Sequence, residues 1–117
     1  LREELQEIDK RKQANSISPN WVHANDGCHL RMTVNLAAAN GVGSFAMIHD
    51  SFGTHAADVP MLNACLREAF IELYLDNDPL QMFRDETQLL TTTALPSMPK
   101  KGELDLTAVR ESEFFFA

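Results

Sequence analysis

The residues best suited to chemistry lie together at His49-Asp50-Ser51, between two short runs with strand character. Two extended runs separated by about two turn-tolerant residues predict a β-hairpin, and Asp tolerates the positive φ of such turns. A hydrophobic hairpin that carries one carboxylate at its tip can present that carboxylate to a metal ion, so Asp50 is a candidate metal ligand. The alternative is that Asp50 only turns the chain, and the residues by themselves favour that alternative.

Other catalytic arrangements find little support in the sequence. A triad of Ser51, His49 and Asp50 is disfavoured because adjacent side chains on an extended backbone point apart. The four histidines and two cysteines show no spacing typical of zinc ligands. Glycine-rich phosphate loops, nucleophile elbows and HExxH motifs do not occur. Cys28 and Cys65 are isolated and are predicted to be reduced, small buried hydrophobes.

Composition predicts one domain with a modest core, because the chain has 117 residues of which 44% are apolar. No apolar run is long enough to predict a membrane span. The net charge of −7 argues against a basic nucleic-acid-binding face. However, Arg2, Lys10, Arg11 and Lys12 fall within the first twelve positions. The Lys10-Arg11-Lys12 triplet is either a solvated helix end or a phosphate contact.

The elements that must position these residues are mostly helices. A charged amphipathic pattern predicts a helix over residues 1–14, and its beginning is typical of the middle of a helix, so we expect more chain upstream. Ser18 as N-cap and Pro19 in the first turn predict a second helix that ends at Asn40 before Gly41. This helix carries His23 and the apolar stripe Val22, Leu30, Val34 and Ala37.

The second half of the chain is also predicted to be helical. Asp58 is the expected cap of a strongly periodic helix that ends at Asp76-Asn77. Asp78 and Pro79 start another helix that reaches about Leu90, and Asp105 caps a short helix over residues 106–110. The unbroken apolar run at residues 46–48 predicts a strand covered on both faces. The fold class is thus α+β, mostly helical with a small antiparallel hairpin.

Four ordered stretches resemble the C-terminal end of the bacteriophage-type single-subunit DNA-directed RNA polymerases, a family that includes mitochondrial enzymes. They are residues 18–31, residues 44–54 around His49-Asp50-Ser51, residues 56–58 with the following helix, and residues 113–117. The terminus departs from the family pattern at Phe115, where the family often has Ala, and Cys28 stands where the family often has Ser or Ala. The resemblance is weakest over residues 1–9 and 84–99.

This resemblance implies roles for individual residues. His49-Asp50 corresponds to the palm motif whose aspartate binds the catalytic Mg²⁺ ions, and His23 to a histidine near the growing RNA end. The terminal residues match a "foot" packed close to the active site; they are Phe114, Phe116 and Ala117. Nucleotidyl transfer with two Mg²⁺ ions about 3.5–4 Å apart is consistent with such a carboxylate. Lys10, Arg11 and Lys12 are candidate nucleic-acid contacts because of their charge.

The implied organisation is one palm fragment over residues 1–117, made of a charged helix and linker at 1–17, a helix and catalytic hairpin at 18–57, and helices with the foot at 58–117. The expected partners are the DNA template, the RNA transcript, nucleoside triphosphates, and the N-terminal, thumb and fingers parts of the polymerase. We expect the isolated chain to be inactive and able to form a homodimer, through its exposed strand edge or through the surface that normally faces the missing domains. The expected location is the cytoplasm of a bacterial host of the phage, in preference to a mitochondrion. A related DNA polymerase palm and a non-catalytic helical interaction module are the alternatives.

Overall fold

The computed structural model describes residues 7–116. Within these residues a hairpin separates the first α-helix from the next two. In chain order, α1 is Lys10–Ala39, β1 is Ala46–Ile48, β2 is Ser51–Gly53, α2 is Val59–Ile71 and α3 is Pro79–Leu89. A 3₁₀ turn precedes α2, a π-helical turn at Glu72–Asp76 follows it, and a second 3₁₀ helix spans Leu106–Arg110. The predicted α+β class, mostly helical with a small antiparallel sheet, is confirmed. Of the helix predicted over residues 1–14, residues 1–6 lie outside the described residues, residues 7–9 are not helical, and residues 10–14 form the start of α1.

The predicted helix start at Ser18 is wrong, because α1 begins nine residues earlier and runs through Pro19. Asp9 is the N-cap, and its carboxylate accepts hydrogen bonds from the backbone N–H groups of Arg11 and Lys12, both at 3.1 Å. A proline inside a helix removes one backbone donor but need not end the helix. The predicted stop is confirmed: Gly41 has φ 92°, and Val42 donates its N–H to Ala37 at 3.0 Å, a Schellman closure.

The buried face of α1 is also different from the predicted apolar stripe, since the side chain of Val22 is 51% exposed. The buried residues instead recur at every fourth position and are small or polar: Asn25, His29, Thr33 and Ala37. Asn25 donates to the carbonyl of Trp21, and Thr33 donates to that of His29, both at 2.8 Å. Each buried polar side chain thus has a partner, and the small stripe lets α2 approach closely.

The core lies between α1, α2 and the hairpin. Buried residues from α1, the loop after it and α2 form its centre, and half-buried hairpin residues pack against them; the set is Ala37, Val42, Leu62, Cys65, Phe45, Met47 and Phe52. Cys65 is buried and Cys28 is half-buried, and both are free thiols. The π-helical turn carries α2 on to Asp76, so the predicted helix end at Asp76-Asn77 is confirmed.

Two of the three caps predicted in the second half are confirmed, those of Asp78 and Asp105. Asp58 precedes α2 as predicted, but its side chain accepts no hydrogen bond from the first turn of that helix, because the 3₁₀ turn before α2 gives it a helical backbone conformation. Asp78 accepts a hydrogen bond from the N–H of Gln81 at 3.3 Å and forms an ion pair with Lys101 at 2.6 Å. Asp105 accepts one from the N–H of Thr107 at 2.9 Å and so begins the last 3₁₀ helix. Between residues 7 and 116, none of the helices combines the length and the apolar character needed to cross a membrane.

Candidate functional site

The hairpin presents His49 and Asp50 as its two-residue turn. Its register pairs Ala46 with Gly53, Met47 with Phe52 and Ile48 with Ser51, leaving only the two turn residues between the strands. The left-handed residue is His49, with φ 51°, and not Asp50 as the sequence suggested. Histidine is one of the residues enriched at positive φ, and such strained backbone is concentrated at functional sites.

The hairpin is covered on one face only. Met47 and Phe52 are half-buried against the core, whereas Ile48 is 70% exposed and Ala46 is also exposed. The prediction of a strand covered on both faces is therefore wrong, because the described part of the chain supplies packing elements for only one side of the sheet. At its base the hairpin is closed by Thr54, whose hydroxyl donates to the carbonyl of Ser44 at 2.7 Å.

The structure brings His23 of α1 to the hairpin turn. The rings of His23 and His49 stack with centroids 6.3 Å apart and an interplanar angle of 27°. Asp50 is exposed beside them, and within residues 7–116 no side chain forms a hydrogen bond or an ion pair with its carboxylate. The same residues contain no cluster of three or more His, Cys, Asp or Glu side chains arranged for a metal ion. Asp50 therefore offers a single free carboxylate.

A groove of about 600 Å³ opens beside Asp50, between β2 and the first half of α2. Its polar wall includes Ser51, Thr54 and Asn63, and its apolar wall includes Leu66 and Phe116. A groove with a carboxylate at one end and an aromatic wall can accept a polar ligand with a flat ring.

The C-terminal aromatic residues differ in their surroundings. Phe116 packs on His29 and Phe52, with ring centroids 5.5 Å away in both cases. Phe115 packs on Phe70 at 5.2 Å, whereas Phe114 is 76% exposed. The predicted foot residue Ala117 lies outside the described residues. Phe116 is the foot residue that the structure places at the groove.

The basic triplet lies far from the hairpin turn. Lys10, Arg11 and Lys12 are exposed in the first turn of α1, and Lys12 is eleven residues from His23 on the same helix. At 1.5 Å per residue this separation is about 16 Å along the helix axis. The triplet sits at the helix start rather than at a helix end, where the macrodipole disfavours positive charge.

Sequence reasoning missed two residues next to this site, His29 and Arg67. His29 is 4% exposed, and its Nε2 lies 2.8 Å from the carbonyl oxygen of Leu66. Burial lowers the pKa of His29, although the bond with Leu66 and the charge of Asp26 act in the opposite direction. Arg67 contacts backbone 42–45 residues away, and no local pattern in the sequence signals that contact.

Comparison with known proteins identifies the family. A family model described as DNA-dependent RNA polymerase matches residues 1–92. The DNA-directed RNA polymerase of Enterobacteria phage K11 is 44% identical over 116 residues, which are 95% of this chain and 13% of that protein. T7 RNA polymerase of Escherichia phage T7 is 43% identical over 116 residues, again 95% of this chain and 13% of that protein. DNA-directed RNA polymerase 3, chloroplastic, of Nicotiana sylvestris is 42% identical over 119 residues, 99% of this chain and 12% of that protein.

The chain belongs to the family of phage-type DNA-dependent RNA polymerases. The family match confirms the resemblance drawn from the four sequence stretches and excludes the alternative of a DNA polymerase palm. The chain spans about an eighth of the length of the relatives that it matches.

Proposed function

We propose that this chain is the carboxyl-terminal palm part of a DNA-directed RNA polymerase, which adds nucleoside triphosphates to an RNA 3′ end on a DNA template. The observation that carries the proposal is the strained His49-Asp50 turn, in a chain that aligns over 95% of its length with relatives named as such polymerases. The second palm aspartate, the thumb, the fingers and the N-terminal part would come from the rest of the polymerase.

The carboxylate of Asp50 suits Mg²⁺, because it is an exposed hard oxygen ligand that no side chain within residues 7–116 engages. When bound, a pair of Mg²⁺ ions activates the 3′-hydroxyl and stabilises the departing pyrophosphate. Asp50 supplies one ligand, and the left-handed backbone of His49 fixes the direction in which the carboxylate points. One carboxylate is a weak site, so the chain alone should bind Mg²⁺ poorly and should not synthesise RNA.

The remaining site residues fit contacts with nucleic acid. His23 is exposed and stacks on His49, so it is placed to contact the RNA end that Asp50 serves. The basic triplet of Lys10, Arg11 and Lys12 occupies the start of α1, where phosphate would offset the unfavourable position of the positive charges. These side chains give a largely acidic chain a local cationic surface.

Location and oligomeric state are two further proposals. Location in the cytoplasm of a bacterial host is supported by the similarity to the phage relatives, and the plant organelle relatives are similar to the chain to a comparable degree. Homodimer formation by the isolated chain is also a proposal, supported by the open edges of the two-stranded sheet and by the exposed Ile48.

The decisive experiment replaces Asp50 with Asn in the natural polypeptide that carries this chain. Asp50→Asn keeps the size and the turn but removes the anionic ligand, so RNA extension should fall by about a thousandfold or more while thermal unfolding is unchanged. Asp76→Asn is the matched control, an exposed aspartate in the π-helical turn that should retain full activity. Near-normal extension by Asp50→Asn would favour the non-catalytic interaction module instead.

A further inference from the structure

Carbonyl groups at the end of the last 3₁₀ helix and just after it converge on one side chain of α2. Nη1 of Arg67 donates to the carbonyl oxygens of Val109, of Arg110 at 3.3 Å and of Ser112 at 2.7 Å. The last carbonyls of a helix lack partners within it, and a cation is favourable at that end. Arg67 thus donates hydrogen bonds to backbone carbonyl oxygens of the C-terminal segment that would otherwise lack a donor.

The guanidinium of Arg67 is itself held in place. Its Nε donates to the side-chain oxygen of Asn63 at 2.9 Å, one turn earlier on α2. The guanidinium also lies over the ring of Phe115, with its central carbon 5.5 Å from the ring centroid. The next residue, Glu68, accepts two hydrogen bonds from Arg110, both at 2.7 Å. Two consecutive residues of α2 therefore bind residues 109–112 and the aromatic residue that follows.

A second contact holds the end of this segment. The ring of His29 is packed between Phe52, Phe70 and Phe116, with centroids 5.5–5.8 Å away. Because the carbonyl of Leu66 can only accept, Nε2 of His29 carries the hydrogen in the bond of 2.8 Å. This bond fixes the plane of the imidazole, and the imidazole in turn supports the ring of Phe116.

These contacts form a continuous path from α2 to the candidate site. Phe116 packs on Phe52, which lies two residues after Asp50 in β2, and Phe116 also lines the groove beside Asp50. Residues 113–116 form no helix or strand, so a wall made from them keeps its place only if neighbouring residues are held by other parts of the fold. Arg67 supplies the attachment before the aromatic residues, and His29 supplies it at their end.

We propose that Arg67 and His29 are positioning residues that hold the C-terminal segment against the hairpin, so that Phe116 forms a fixed wall of the groove beside Asp50. The proposal rests on the function proposed above, because it assigns that wall a part in placing the reacting RNA end or nucleotide. Neither side chain contacts the groove itself; both act through Phe115 and Phe116.

The test uses Arg67→Met and Arg67→Lys in the natural polypeptide. Met keeps the apolar stem and removes every N–H donor. Lys keeps the positive charge and the ammonium donors but lacks the planar, forked arrangement of N–H groups of the guanidinium. The matched control is Arg84→Met on α3, because Arg84 is likewise an arginine that donates to a distant backbone carbonyl. Its Nε lies 3.0 Å from the carbonyl oxygen of Pro96. His29→Gln retains an amide donor near Nε2, and His29→Leu removes the donor while keeping apolar bulk.

The first measurement is amide hydrogen exchange over residues 109–116, followed by mass spectrometry, which reports the hold on the segment and needs no polymerase activity. A charged hydrogen bond changes an opening equilibrium by roughly tenfold or more, so these amides should exchange about tenfold faster in Arg67→Met. They should also exchange faster in His29→Leu, while His29→Gln and the Arg84→Met control should match the wild type. Unchanged exchange in both Arg67→Met and His29→Leu would overturn the proposal.

The second measurement separates positioning from stability. The maximal rate of RNA extension per folded molecule should fall about tenfold in Arg67→Met and His29→Leu. The rate of Arg67→Lys should lie between those of the wild type and Arg67→Met, and the rate of His29→Gln should be close to that of the wild type. Faster exchange with full extension would mean that the segment has no positioning role. If the wild-type polypeptide extends no RNA at all, the proposed function fails, and the exchange result still decides whether Arg67 and His29 hold residues 109–116.

Discussion

The position of Pro19 gives a prediction whose sign depends on where α1 begins. A helix that starts after Ser18 would accept Pro19 in its first turn without cost. In the structure α1 begins at Lys10, so Pro19 is interior, lacks the N–H that would bond the carbonyl of Asn15, and brings its ring against that carbonyl. Pro19→Ala should therefore strengthen the first third of the helix.

The magnitude follows from the two opposing terms. Interior proline is about 3 kcal/mol less favourable than alanine in a helix, and removing proline increases the entropy of the unfolded chain by roughly 0.4–1 kcal/mol. The net gain is about 2 kcal/mol, which is close to a thirtyfold change in the local opening equilibrium. Hydrogen exchange of the amides at residues 14–18 should slow by about that factor, as measured by mass spectrometry.

Two companion variants check the same reasoning. Ser18→Ala should stabilise the helix by about 0.5 kcal/mol if Ser18 is interior, but should cost about 1 kcal/mol if Ser18 is the N-cap. Asp9→Ala should cost about 1 kcal/mol, because its carboxylate accepts the N–H groups of Arg11 and Lys12. Unchanged exchange at residues 14–18 in Pro19→Ala, together with a destabilising Ser18→Ala, would refute the continuous helix.

Three other predictions concern the site and its support. His49→Gly should leave the free energy of unfolding within about 1 kcal/mol, because relief of the positive φ offsets the added chain entropy, while RNA extension falls; a large loss of stability in chemical denaturation would contradict this. Replacing Lys10, Arg11 and Lys12 together with Gln should reduce the slope of log affinity for DNA against log salt by about 2–3, and an unchanged slope would exclude phosphate contacts. The hydrogen bonds from Arg110 lower the pKa of Glu68. This pair therefore stabilises the fold at pH values above the unfolded-state pKa of Glu, and the stabilisation is lost as the pH falls through the lower pKa of the folded state. In Arg110→Met, the midpoint of thermal unfolding should not show the decrease that loss of this pair causes in the wild type on acidification.

The parts of the fold that the sequence predicted correctly are those set by local chemistry. Asp78 before Pro79, Asp105 before the last 3₁₀ helix, and Gly41 after α1 each satisfy backbone groups within a few residues. These interactions have the same energy wherever the elements lie in the fold. The hairpin was predicted for the same reason, because its formation depends on the two turn residues and the short strands beside them.

The errors arise where distant residues or competing local signals decide. Ser18-Pro19 locally favours a helix start, yet α1 begins at the Asp9 cap nine residues earlier and continues through Pro19. His29 is buried on α1 because a carbonyl 37 residues away accepts its hydrogen bond. The hold of Arg67 on residues 109–112 likewise joins elements that only the folded chain brings together. A single sequence contains no pattern for such pairs.

The length of α1 has a mechanical consequence. Its buried residues begin at Asn25, so the fifteen residues from Lys10 to Ala24 extend from the core as a rod, with Trp21 and Ser16 only half-buried. Proline is the usual place at which a helix bends, and Pro19 lies about 14 Å along the axis from Lys10. A bend of about 20° there would displace the basic first turn by about 5 Å while His23 keeps its place on His49. A bend at Pro19 would therefore shift the cationic first turn relative to the hairpin turn without moving the hairpin.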